Sequence, residues 1–175
     1  MLSHLTQSAS FTLLQLLEVI KRTDDFQYRS SLPILFGSTL GMHVRHIVEF
    51  YQCVLRCDEE GFINYDARLR NLQIENDTAY AGSAINECLT GMQHLTDDKP
   101  LILLTSQDMS DQTIQIKTNI LRELTYLIEH SIHHMAILKM AYTENFPSVK
   151  MPEHFGVAYS TLKHHQLVHS NLSAG

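Results

Sequence analysis

The chain lacks an excess of basic residues. Lys and Arg total 13 against 19 Asp and Glu, for a net charge of −6 with histidine neutral. A protein that grips nucleic acid needs a cationic footprint, so nucleic acid is not expected as the main partner. Cysteine is sparse. Cys53, Cys57 and Cys88 form neither a CxxC pair nor a dense disulfide set, and an odd count fits a reducing cytosol. Long apolar runs are missing too. The run from Phe11 to Ile20 is broken by Gln15 and Glu18, is too short to span a bilayer, and has no Lys or Arg before it as a signal peptide would need. No low-complexity tract, no linker rich in Pro or Gly and no repeat interrupts the chain. The expectation is therefore a single cytoplasmic domain, residues 1–175, without a membrane segment. At 175 residues and 44% apolar content it is large enough for a proper core.

Histidine, by contrast, is plentiful at 11 residues. His130 and His134 stand four apart, so they lie one turn apart on the same face of a helix. Leu127, Ile137, Leu138 and Ala141 fall on or beside that stripe, which turns both imidazoles inward. An apolar interior is a poor place for them unless something binds them. A metal ion satisfies both, because neutral imidazole donates a lone pair to zinc at about 2.0–2.1 Å. The alternative is a buried pair hydrogen-bonded to core carbonyls.

Read in order, Leu13, Leu16, Leu17 and Ile20 predict a first amphipathic helix over 3–22. Residues 28–36, with Pro33 inside, read as a connection. Ser38 or Thr39 caps a second helix to about residue 57. Its buried stripe is Leu40, Val44, Ile47, Tyr51 and Val54, and its wet face Arg45, Glu49, Gln52 and Arg56. His43 falls near the middle of the buried arc and His46 toward its edge, beside Phe50, Cys53 and Cys57. Residues 61–71 show no clean period and read as a long ordered loop, uncommon unless functional. A third helix spans 77–95, with Tyr80, Ala84, Cys88, Met92 and Leu95 on one side. Residues 101–106 and 113–118 form a hairpin joined by a polar connection over 107–112. Thr118 or Asn119 caps a long fourth helix to about residue 145, ended by Pro147 and Pro152. A short fifth helix covers 157–169. The fold class expected is all-α: a four-helix bundle with a small β-hairpin before the last long helix and a short C-terminal helix. Such bundles commonly build metal sites in their cores.

Helix two offers His43 or His46 as a third ligand. Three histidines would leave a fourth position open, as catalytic zinc sites do. The segment from Ser38 through Thr39, Leu40, Gly41, Met42, His43, Val44, Arg45 and His46 to Ile47, together with His130-x-x-x-His134 and the helix order, resembles the DinB-like (damage-inducible) family of metal-binding four-helix bundles. The likeness covers most of residues 1–145. The tail from Phe155 to His165 and the loop Ile63-Asn64-Tyr65-Asp66 resemble an uncharacterised branch of that family. The resemblance implies His46, His130 and His134 as ligands, whereas periodicity alone favours the more central His43. It then places His43 behind the ligands or facing the substrate. It also implies a divalent transition metal, with Zn, Ni, Fe and Mn not distinguished. Relatives include thiol-dependent transferases, so a metal-dependent transferase or hydrolase, with a small-molecule substrate such as a low-molecular-weight thiol, is the function expected. A non-catalytic metal or ligand sensor and a structural dimerising bundle are the alternatives. The resemblance allows a homodimer.

Other polar residues carry paired readings. Asp66, Arg68 and Arg70 are either a substrate clamp for a carboxylate or phosphate, or a solvated loop tied by surface ion pairs. Glu123, seven residues before His130, either orients a metal-bound water or faces the helix dipole as a charge in the first turns. His133 lies about 100° around the helix from His134 and reads as a non-ligand. His164, His165 and His169 read as surface residues. Cys53 reads as a soft ligand, a reactive thiol or a small core residue. Tyr51 and Tyr126 are expected to hydrogen-bond inside the bundle.

Overall fold

Apolar stripes at helical spacing, several of them started by a polar cap, produce a mostly helical protein carrying a small three-stranded sheet. A computed structural model describes residues 1–57, 60–109 and 112–172, with 167–172 as backbone alone. Four longer helices form the frame: α1 (Leu2–Ile20), α3 (Leu40–Leu55), α5 (Thr78–Gln93) and α6 (Ile120–Asn145). Between them lie α2 (Asp25–Arg29), a 3-10 turn at Pro33–Leu35 and α4 (Leu72–Asn76), and α7 (Tyr159–Leu172) ends the chain. The caps are side-chain acceptors for orphan N–H groups. Thr39 Oγ1 takes the Met42 N–H at 3.0 Å, Asp77 takes Tyr80 at 2.8 Å and Asn119 takes Arg122 at 2.8 Å. The frame closes on itself, since α1 packs on α5 and α6 and α3 packs on the same two. Leu13, Leu16, Val44, Ile47, Ile85, Leu124 and Leu138 fill the space they enclose.

The sheet differs from the expected hairpin. β2 (Pro100–Thr105) and β3 (Ile114–Asn119) pair antiparallel with Leu103 opposite Ile116, and β1 (Phe62–Ile63) joins β2 in parallel. Two residues are too few to show an alternation, which is why residues 61–71 read only as loop. The 28–36 connection likewise holds the end of α2 and the 3-10 turn, elements too short for a stripe. Of the polar connection over 107–112, residues 110 and 111 lie outside those described. The wet face assigned to α3 is corrected as well. Glu49 is 2% exposed and the Arg45 side chain only 15%, because α4 and the 64–71 loop cover them and supply opposite charges. Tyr80 in turn is partly exposed at 39% rather than inside. Among the described residues, no helix is long and apolar enough to cross a membrane.

Gly41 shows how closely α3 and α4 approach. A Cβ there would overlap the Glu75 carbonyl oxygen and crowd the Tyr28 ring at 2.9 Å. The clash is with backbone, which cannot rotate away, so Gly41→Ala is expected to destabilise by about 3 kcal/mol, the upper part of the range for overpacking. Urea unfolding followed by circular dichroism measures it; an unchanged midpoint would show that the α3–α4 seam yields to a methyl group without cost.

Candidate metal centre

α3 and α6 run against each other, and their histidines meet across the seam. His46 Nε2 lies 2.8 Å from His130 Nε2, and His43 Nδ1 lies 3.0 Å from His134 Nδ1. One nitrogen of each pair must carry the proton for these to be hydrogen bonds. A donor nitrogen from each of His46, His130 and His134 falls within 4.8 Å of the other two. Ligands on neighbouring positions of one ion with bonds of about 2.0–2.1 Å sit roughly 2.9–3.4 Å apart, so the His46–His130 contact is close to a ligand edge. Three neutral imidazoles at this spacing could hold a metal ion. His43 touches His134 but does not belong to that set.

Burial and mutual repulsion keep the cluster neutral. Removal from water, then the neighbouring His130 and Arg68, pushes His46 down to about 3. Removal from water, then His46 and His130, pushes His134 down to about 3. His43 and His130 are lowered by burial and by His133. Neutral imidazole is the form that binds metal, so the site meets the protonation requirement near pH 7 without further adjustment.

The walls around the cluster are of two kinds. On one side a cleft of about 270 Å³ is lined by Ser38, Met42, His43, Arg45, His46 and His134. On the other stand aromatic rings. Phe50 packs on His46 at 4.3 Å between centroids and lies near-parallel to His130 at 4.9 Å. Tyr126 is near-parallel to His130 at 5.2 Å, and Tyr65 stacks on Phe50 at 4.6 Å. Phe50 follows His46 by four residues and Tyr126 precedes His130 by four, so helical spacing places both rings beside the histidines. Tyr65, on an irregular loop, has no such signal.

The remaining candidates separate. Arg68 reaches into the site region: its guanidinium lies 5.4 Å over the Phe50 ring, pairs with Glu49 at 3.3 Å and donates to the Tyr65 carbonyl. Arg45 pairs with both Glu49 and Glu75. This half-buried network, not a free clamp, ties the loop to α3. Asp66 accepts the Ser106 N–H at 3.1 Å and so joins the loop to β2's end, while Arg70 is exposed with φ 50°. Glu123 is fully buried. It accepts from Tyr65 and Thr118 at 2.6 Å each and from Arg122 at 2.9 Å, three donors that account for a carboxylate so far inside. It stands in the first turn of α6, and it reaches the histidines indirectly, through Tyr65 and Phe50 and through Arg122 and Tyr126. The Cys53 thiol points at the Asn64 carbonyl, and burial raises its pKa, the opposite of an activated thiolate. His133 is exposed and edge-on to His134. His164 and His165 are exposed on α7, and the side chain of His169 lies outside the described residues. Gly156 (φ 68°) brings the tail onto the α6 backbone at Met135 and Ala136, directly after His134.

No family model matches the chain, and no solved structure matches it. It is similar to a curated protein named FK506-binding protein 5 from Rhizopus delemar, at 39% identity over 106 residues. That stretch is 58% of this chain and 27% of the relative's length. A match of that extent does not assign the chain to a family.

The depressed imidazoles have a measurable consequence. Unfolded histidine titrates near 6.5, whereas folded His46 and His134 titrate near 3. Between those values the unfolded chain binds more protons, so metal-free protein loses stability as pH falls through the window and keeps it above about 6.5. Urea midpoints across pH 7.5 to 4 should decline, and replacing both residues by Gln should flatten the decline. Equal slopes in parent and variant would place these imidazoles in water.

Proposed function

We propose that the protein is a DinB-like four-helix bundle that holds one divalent transition metal on His46, His130 and His134, and that it is a metal-dependent transferase or hydrolase acting on a small molecule. The convergence of three neutral imidazole nitrogens from α3 and α6 carries this reading. An all-histidine set of borderline-soft donors suits Zn, Ni or Fe, and Mn less well. A divalent ion there supplies Lewis acidity, which lowers the pKa of a thiol or water and makes a nucleophile at neutral pH.

The chain's own residues supply the rest. Three protein ligands leave room for a further ligand, and the cleft lined by Ser38, Met42, His43 and Arg45 is the route by which one would arrive. His43, hydrogen-bonded to His134, holds that ring's orientation from the cleft side. Phe50, Tyr65 and Tyr126 exclude water from the opposite side. Low-molecular-weight thiols suit such a centre because sulfur binds these metals well.

Protein purified without a histidine tag should carry about one transition-metal equivalent per chain by plasma mass spectrometry, the stoichiometry of a single structural or catalytic site. His130→Ala combined with His134→Ala should abolish it while leaving the helical spectrum in place. Full retention by the double variant would overturn the assignment. With the ion bound, metal-dependent turnover in a panel of thiol-conjugation, ester and amide substrates supports the enzyme; stoichiometric metal without turnover of any of them supports the binding-protein alternative instead.

A further inference from the structure

Metal-binding histidines are ordinarily held in plane by a hydrogen bond at the nitrogen that does not face the ion. His134 has such a partner in His43. His130 does not: among the described residues, no group other than His46 is hydrogen-bonded to its imidazole. Yet the terminal torsion of histidine is broad and roughly two-fold, so its ring plane must be set by something. Around His130 that something is aromatic. Its ring lies 19° from the plane of Phe50 and 22° from that of Tyr126, with centroids 4.9 and 5.2 Å away.

Phe50 is itself held. Besides His46 and His130 it meets Tyr65, stacked at 4.6 Å and 10°. Tyr65 is fixed at both ends. Its hydroxyl donates to the fully buried Glu123 at 2.6 Å, and its carbonyl accepts from Arg68, whose guanidinium also covers Phe50. Glu123 keeps its place through Thr118 and Arg122. The loop after α3 thus meets α6 through the Tyr65 hydroxyl on Glu123 and through the Tyr65–Tyr126 ring contact at 5.8 Å, and from Tyr65 to His130 the path is ring on ring.

We infer that Tyr65, anchored on Glu123 and acting through Phe50, is the positioning residue for His130: stacking does for this imidazole what a hydrogen bond does for His134. The inference rests on the metal reading for its affinity readout, and on the metal-free protein for its other.

Three variants test it. Tyr65→Phe keeps the ring and deletes the hydroxyl, Glu123→Gln weakens the acceptor, and Phe50→Leu deletes the stacked ring. Tyr142→Phe, which deletes a buried hydroxyl bonded to Thr23 nearer the C-terminal end of α6, is the control. In metal-free protein the His130 ring protons should resonate upfield under the ring currents of Phe50 and Tyr126, and Phe50→Leu and Tyr65→Phe should both move them. Zn²⁺ affinity, by competition with a chromophoric chelator, should fall roughly 10-fold or more, the usual effect of removing a group that orients a ligand. The visible bands of the Co²⁺-substituted protein should change position or intensity, which a merely looser core would not cause. Parent-like Zn²⁺ affinity and parent-like Co²⁺ bands in Tyr65→Phe and Phe50→Leu, with native helix content, would overturn the inference and leave the rings as core packing. If Phe50→Leu does not fold, Tyr65→Phe and Glu123→Gln decide by the same readouts. If the parent itself takes up no Zn²⁺, the metal reading fails, and the inference is then judged on the resonances alone: unmoved His130 protons in Tyr65→Phe overturn it, and shifted ones support it.

Discussion

The contact between α3 and α6 is apolar along most of its length and polar at one level, where four imidazoles meet in two pairs. Burying a polar group without a partner costs on the order of 1–3 kcal/mol in proteins. Pairing removes part of that cost, and neutrality avoids the larger one of holding a charge away from water. The same desolvation that strips the protons from His46 and His134 leaves lone pairs facing a common space. What looks like a packing compromise is therefore also a donor set. The rest of the site serves to keep those rings neutral and aimed.

A second buried polar level supports the first. Arg45, Glu49, Arg68 and Glu75 form a balanced set of two cations and two anions between α3, α4 and the intervening loop. Such networks contribute little net stability against an apolar replacement, but losing one member strands the others. Here their value is directional. Arg68 fixes the Tyr65 carbonyl and covers Phe50, and Arg45 lines the cleft beside His43. The Gly41 approach to the Glu75 carbonyl brings α4 close enough for the pairing to form.

Much of this was legible in the residues, for identifiable reasons. The apolar stripes of the first and third helices, and the caps expected at Ser38 or Thr39 and at Thr118 or Asn119, marked all four long helices within a few positions. The i, i+4 spacing of His130 and His134 placed two imidazoles on one inward face. Periodicity alone favoured the more central His43, yet residues three apart share a face, both are half-buried, and it is His46 whose nitrogen lies with those of His130 and His134. The illegible parts are those decided by tertiary contact. Glu49 and Arg45 read as a wet face because charge usually means water, and only the partners brought by α4 and the loop reverse that. Glu123 read as a charge answering the helix dipole or as an aid to catalysis; its position in the first turn holds, but three donors from β3, the loop and its own neighbour explain its complete burial. Phe62 and Ile63 form a strand only because β2 lies alongside.

The two kinds of wall also decide which side of the histidine cluster faces the outside. Stacked rings with near-parallel planes leave no gap for a solute, and behind them Tyr65 is closed off by Glu123. The cleft side is built from a thioether, a hydroxyl, a guanidinium and His43, none stacked on another apart from the His43–His134 contact. A ligand orienting His134 by hydrogen bond must sit where that bond can exchange with water, and His43 does. His130, equally half-buried, has instead its ring faces on Phe50 and Tyr126. The asymmetry of support between the two α6 histidines thus follows the two kinds of wall: a polar cleft beside His134 and stacked rings beside His130.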